Sequence, residues 1–252
     1  ELDAALGGLL DSFEQRGTKT VVLSEYGIEP VSAAIPINRI LREAGFLALR
    51  IEDDREMLDP GASAAFAVAD HQVAHVYVKN PALVGAVAAV LSGVPGIESC
   101  LGRDERKGHE LDHERSGELL ALAESGRWFS YGWWQDDARA PDYARTVDIH
   151  RKPGYDPLEL FLDPRTPMPR LRIARKLLWR KLGFRTPLNV IPLDTSLVRG
   201  SHGRVNMPAG RRPVLITRRG LVEGPETMPC QAVCQVILDH LFGEPGARAS
   251  RA

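Results

Sequence analysis

Two short glycine-bounded motifs, each at the end of an apolar run, carry the side chains best suited to chemistry. Ser24-Glu25-Tyr26-Gly27 follows Thr20-Val21-Val22-Leu23, and Gly200-Ser201-His202-Gly203 follows Ser196-Leu197-Val198-Arg199. A run that stops at a polar-glycine turn sets its side chains at the carboxyl edge of a sheet, where open α/β folds build their sites. The Glu25 carboxylate, the Tyr26 phenol and the His202 imidazole have the donor atoms to meet a metal or a charged substrate there. Each motif alone also reads as an ordinary strand-to-loop turn in which glycine supplies a positive φ.

Two other segments concentrate functional groups. In Ala69-Asp70-His71-Gln72-Val73-Ala74-His75, an extended chain puts residues 71 and 75 on one face. Asp70 and His71 then lie at the strand's edge, as candidate substrate contacts. His75 lies mid-strand and reads as a hydrogen-bonded structural histidine. In Asp148-Ile149-His150-Arg151-Lys152-Pro153-Gly154-Tyr155-Asp156, two carboxylates, an imidazole and two cations surround a Pro-Gly turn. Asp148, His150, Arg151 and Lys152 are candidate substrate contacts, Arg151 as a planar fork and Lys152 as a point charge for phosphate. The alternative is a surface turn held by local ion pairs.

The elements that must position these groups alternate along the chain. Helical spacing covers 1–16, 37–43, 81–92, 170–183 and 229–242. Strand-like runs cover 20–23, 46–51, 64–69, 73–78, 97–101 and 118–123. Strands alternating with helices predict an α/β sheet with helices on both faces. Trp128, Trp133 and Trp134 cluster where the composition changes, and a polar, proline-punctuated stretch follows from 136 to 169. Residues 128–185 are therefore expected to form an insertion or lid, within a single domain over 1–242 that ends in a flexible tail, 243–252. Between Asp163 and Asp194 there is no acidic residue, while eight are basic. The helix there carries Leu171, Ala174, Leu177, Leu178 and Leu182 on its apolar side. Its basic residues read as a solvated face, with an anion-attracting rim or a subunit contact as the alternatives.

Bulk properties exclude several classes. A net charge of −1 gives no global field for duplex nucleic acid or an anionic membrane, so neither is expected as a partner. No apolar run approaches the ~18 residues that span a bilayer. Three cysteines, Cys100, Cys230 and Cys234, fit a reducing compartment, and the expected location is cytoplasmic. No P-loop, Gly-x-Gly-x-x-Gly, His-Glu-x-x-His or Gly-x-Ser-x-Gly motif is present. The chain begins at Glu1, inside a helical pattern, so its natural N-terminus is expected to lie upstream.

The order of helix, apolar strand, Ser-Glu-Tyr-Gly and a much later Gly-Ser-His-Gly resembles the alkaline phosphatase superfamily. The nearest branch is the nucleotide pyrophosphatase/phosphodiesterase and phosphonoacetate hydrolase group. Val94-Pro95-Gly96-Ile97-Glu98 and the run from Ser116 to Ala123 resemble intermediate segments of the same enzymes. The resemblance implies a three-layer α/β/α sandwich with a largely parallel sheet, truncated at its N-terminus. It implies metal-dependent hydrolysis of phosphodiester or pyrophosphate bonds in a small phosphorylated substrate, at a two-metal site, most often zinc. On that pattern Glu25 and Tyr26 fall on the ligands of one metal and His202 on a ligand of the second. Two residues depart from it: Glu25 stands where the group has Asp, and Tyr26 where it has His, and a phenol is a poor zinc ligand unless deprotonated. The nucleophile is expected upstream, which would leave this chain alone inactive. The rival reading is a non-catalytic relic that binds a ligand or serves in assembly.

Overall fold

The computed structural model describes residues 1–109, 111–148, 150–217 and 227–242. In chain order the elements are α1 (Leu2–Gln15), β1 (Val22–Leu23), β2 (Glu29–Pro30), β3 (Ala33–Pro36), α2 (Ile37–Glu43), β4 (Leu49–Glu52), β5 (Arg55–Leu58), β6 (Ala65–Asp70) and β7 (Val73–Val78). Then come α3 (Val84–Ser92), β8 (Ile97–Leu101), α4 (Arg103–Lys107), β9 (Leu119–Ala123), β10 (Arg127–Ser130), α5 (Pro169–Lys181), β11 (Gly200–Ser201), β12 (Leu215–Ile216) and α6 (Ala232–Phe242). They divide into two compact units, one of residues 28–211 and one of residues 1–27 with 212–252.

The larger unit is built on a four-stranded sheet in the order β6-β7-β9-β8. Alternation along β6 and β7 turns Ala65, Ala67, Ala69, Ala74, Val76 and Val78 to one face, where all are buried. Small side chains there let α2 and α3 sit close, with Ile37, Leu41, Val87 and Leu91 fully buried in the same core. Asn38 of α2 fixes the approach: its amide donates to the carbonyls of Ala67 (2.8 Å) and Tyr131 (2.9 Å), and its carbonyl accepts from Ala67 N–H (2.7 Å). On the opposite face of this hairpin Phe66 stacks on Tyr77 at 5.6 Å. β10 pairs in parallel with β3, Arg127 opposite Ala33 and Ser130 opposite Pro36.

The fold is therefore α/β with mixed sheets, and its largest sheet corrects the parallel expectation. β6, β7, β9 and β8 are antiparallel throughout. Residues 64–78 supply two strands separated by two residues, which a hairpin can join but a parallel crossover cannot. Three segments also differ from the sequence reading. Residues 196–199 are not a strand: Asp194 caps a short 3-10 turn, Thr195–Leu197, and the strand that follows has two residues. Residues 128–144 supply core, with Trp128, Phe129, Trp133 and Ala144 buried to the last few per cent. The helix expected at 170–183 is present as α5, but Leu171, Leu177, Leu178 and Leu182 face solvent.

In the smaller unit β1 pairs with β12 in antiparallel register, Val22 opposite Ile216. Ser24 extends that ladder, its N–H donating to the Val214 carbonyl (3.0 Å) and its hydroxyl accepting from Val214 N–H (2.9 Å). Lys19 donates to the His240 carbonyl of α6 at 2.8 Å. The tail at 243–252 lies outside the described residues. No helix among the described residues is long and apolar enough to cross a membrane.

Candidate functional site

The β6–β7 hairpin closes with a two-residue loop, His71-Gln72, between the paired residues Asp70 and Val73. Tight hairpins need a positive φ at the first loop position, and His71 supplies it with φ 55°. This left-handed conformation is uncommon for a residue with a β-carbon. The loop is stitched to its neighbours through its backbone. The His71 carbonyl accepts from Phe129 N–H of β10 at 2.6 Å, and Gln72 N–H donates to the His202 carbonyl at 2.9 Å.

That last bond brings the Gly-Ser-His-Gly turn against the hairpin. β11 pairs with β2, Ser201 opposite Glu29, and delivers His202 at its end. Gly203 turns the chain away with φ 110°, where a β-carbon would crowd Val73 at 3.2 Å. The imidazole rings of His71 and His202 meet with centroids 3.9 Å apart and planes 37° apart. The Tyr155 ring stacks on that of His71, with centroids 4.9 Å apart. Its placement depends on Gly154, whose φ is 108° and whose absent β-carbon would fall 1.9 Å from the Ala69 carbonyl oxygen. Ala69 accepts from Tyr155 N–H at 2.8 Å across that close approach.

Electrostatics keep this cluster neutral on the His71 side. Burial first, and then the charge of His202, push the His71 imidazole down from its ordinary 6.5 to about 4, against the opposing pull of Asp70. Asp70 is exposed, with Oδ1 4.0 Å from His71 Nε2, and Ser201 Oγ lies 3.4 Å from His71 Nδ1. At neutral pH His71 is therefore an uncharged ring whose free nitrogen lone pair can be donated.

A buried carboxylate supports the two turns. Glu29 is fully buried and accepts from the Gln72 amide (2.6 Å) and the Ser125 hydroxyl (2.9 Å). Arg204, next to the Gly-Ser-His-Gly turn, and Arg211 approach it at 3.6 Å and 3.5 Å. Burial raises the Glu29 carboxyl, but the hydrogen bonds from Gln72 and Ser125 and the two arginines outweigh it and hold the group below its ordinary range. Arg204 also pairs with Glu98 at 2.7 Å. Sequence reasoning missed Glu29. Its one signal is a lone acid beside Pro30 in a short extended segment that follows Gly27.

Lys152 is buried, its Nζ 2.8 Å from Asp156 Oδ2 and 2.7 Å from Glu159 Oε1. Its charge is matched twice within the protein. Burial raises the Asp156 carboxyl, with Lys152 opposing. Arg151 pairs with Asp142 at 3.0 Å and lies over the Tyr143 ring at 4.6 Å. His150 is exposed, and the Asp148 N–H donates to Glu159 at 3.3 Å. Glu25 and Tyr26 are exposed residues of the smaller unit.

His71 and His202 are two nitrogen donors, and a catalytic zinc takes three protein ligands. Among the described residues no group of three or more His, Cys, Asp or Glu side chains is arranged to hold a metal. The donor set among the described residues of the larger unit is thus incomplete for zinc.

A family model described as type I phosphodiesterase / nucleotide pyrophosphatase matches residues 1–156. The chain belongs to this family. No curated protein matches it. Among solved structures, it is similar to phosphonoacetate hydrolase from Sinorhizobium meliloti 1021 in complex with phosphonoacetate, with 19% identity over 53% of this chain and 33% of that one and a TM-score of 0.38. Murine ectonucleotide pyrophosphatase / phosphodiesterase 5 is 18% identical over 54% of this chain and 33% of that one, with a TM-score of 0.36. The matched region spans 33% of the length of each of these structures.

Proposed function

We propose that this chain acts in the hydrolysis of phosphodiester or pyrophosphate bonds of a small phosphorylated substrate. Membership of the phosphodiesterase family supports the reaction class. The observation that carries the reading is the His71–His202 contact, in which a ring kept neutral by burial meets the imidazole of the Gly-Ser-His-Gly turn. Within this reading Asp70 and His71 contact the substrate, Glu29 positions the two turns, and Tyr155 covers one side of His71. Asp148, His150 and Arg151 are further proposed contacts. Lys152 would have to leave its two carboxylate partners to join them. Glu25 and Tyr26 are proposed as ligands of one divalent metal and His202 of a second, with zinc as the metal. Residues 128–185 are proposed as an insertion whose first part, 128–144, packs into the core, and the parent architecture is the α/β/α sandwich.

A second reading is favoured by two observations: the incomplete donor set of the larger unit and the phenol of Tyr26 where an imidazole is expected. In it the chain binds a phosphorylated ligand without turning it over. Metal content and hydrolysis of bis-p-nitrophenyl phosphate, in wild type and His202→Ala, separate the two. The hydrolase loses both with the histidine; the binding protein has neither to lose.

A further inference from the structure

We propose that α5 and the turn after it form a peripheral docking surface for an anionic lipid bilayer. Leu171, Ala174, Leu178 and Leu182 recur at helical spacing and make one apolar stripe. That stripe points away from the rest of the larger unit. Arg172, Ile173 and Lys176 form the half-buried side, and Lys176 is tied down by donating to the Pro187 carbonyl at 2.8 Å. Leu171 is 62% exposed, Leu178 57% and Leu182 65%, so no partner covers the stripe among the described residues. Trp179 is also exposed and packs edge-on against exposed Phe184 at 4.8 Å. A tryptophan beside an outward leucine stripe suits the boundary between headgroups and acyl chains.

Charge selects the occupant. Residues 164–193 carry eight basic residues and no acid. Arg175 and Lys181 flank the stripe on its two sides and are exposed. A second copy of the chain meeting this face in a two-fold contact would set those cations against their own kind. An anionic surface matches them, at about 1 kcal/mol per cation near the headgroups, or about fivefold in affinity each. The bulk net charge of −1 conceals the patch, because the acids lie in other parts of the sequence. The amphipathic pattern conceals it too, since a leucine stripe normally faces a core. This surface is independent of the hydrolase reading.

The test is co-sedimentation of the purified protein with vesicles of phosphatidylcholine alone and of phosphatidylcholine with phosphatidylserine. Binding is expected only to the second, with loss at high salt and a blue shift of Trp179 emission that Trp179→Phe abolishes. Leu178→Asp, and the double variant Arg175→Glu with Lys181→Glu, should each weaken binding about tenfold or more while thermal unfolding stays unchanged, because all three sites are exposed. Failure to bind serine-containing vesicles overturns the proposal. So does binding that the variants leave unchanged, self-association of the lipid-free protein that Leu178→Asp abolishes, or equal binding to polyglutamate.

Discussion

The imidazole of His71 meets that of His202 in a tilted contact, with ring centroids 3.9 Å apart, although one closes a hairpin and the other ends a strand far along the chain. The Gln72 N–H to His202 carbonyl bond joins their turns, and Ser201 Oγ lies 3.4 Å from His71 Nδ1. The contact makes the protonation of His71 a property of the fold.

Acidification should therefore destabilise the larger unit through His71. Its folded value near 4 lies below the unfolded 6.5, so the unfolded chain binds the proton first as pH falls. The stabilising contribution is complete above pH 6.5 and is lost as pH falls towards 4, by on the order of 3 kcal/mol. Urea unfolding across that range should show the loss in wild type and a flatter dependence in His71→Asn, which keeps a side chain tolerant of positive φ. Equal slopes in the two proteins would remove His71 as the cause.

Lys152→Met should be strongly destabilising. It would leave Asp156 and Glu159 buried together without their cation, a loss of about 3 to 5 kcal/mol. Urea denaturation at neutral pH measures it. If Lys152 instead served mainly as an accessible phosphate contact, the variant would unfold like wild type and lose only ligand affinity.

Gly154→Ala tests the close approach under Tyr155. A β-carbon 1.9 Å from the Ala69 oxygen cannot be accommodated without moving one strand, and φ 108° disfavours alanine independently. We expect a loss of about 3 kcal/mol or more and changed histidine ring signals in NMR spectra as Tyr155 shifts from His71. Unchanged spectra with unchanged stability would contradict the packing described here.

Local chemistry was legible in the sequence, and long-range register was not. The helix at 37–43 was readable from its spacing and appears with those bounds. The strands at 73–78 and 97–101 were readable from their apolar runs. His71 and His202 were each identifiable as candidates, but their meeting depends on a backbone bond between two loops, which no spacing encodes. Extended-chain alternation puts His71 at a strand edge, whereas the hairpin loop places the histidine itself at positive φ. With no glycine at 71 or 72 to mark the turn, the antiparallel order is hidden as well. Lys152 looked like a phosphate contact because its neighbours in sequence are polar, whereas Asp156 and Glu159 fold back onto it. Glu29 carried almost no signal, since a buried acid is recognisable only once Gln72, Ser125 and two arginines converge on it.

Catalysis itself is tested most directly by metal content and bis-p-nitrophenyl phosphate hydrolysis, measured together on the protein at its natural length, in wild type and in His202→Ala. Wild type should hold a divalent metal and turn over the diester. His202→Ala should lower both metal content and kcat/KM, the latter by about a hundredfold or more. A wild-type protein that cannot be loaded with zinc, manganese or iron, or a His202→Ala variant that hydrolyses the diester as wild type does, would contradict the proposed function.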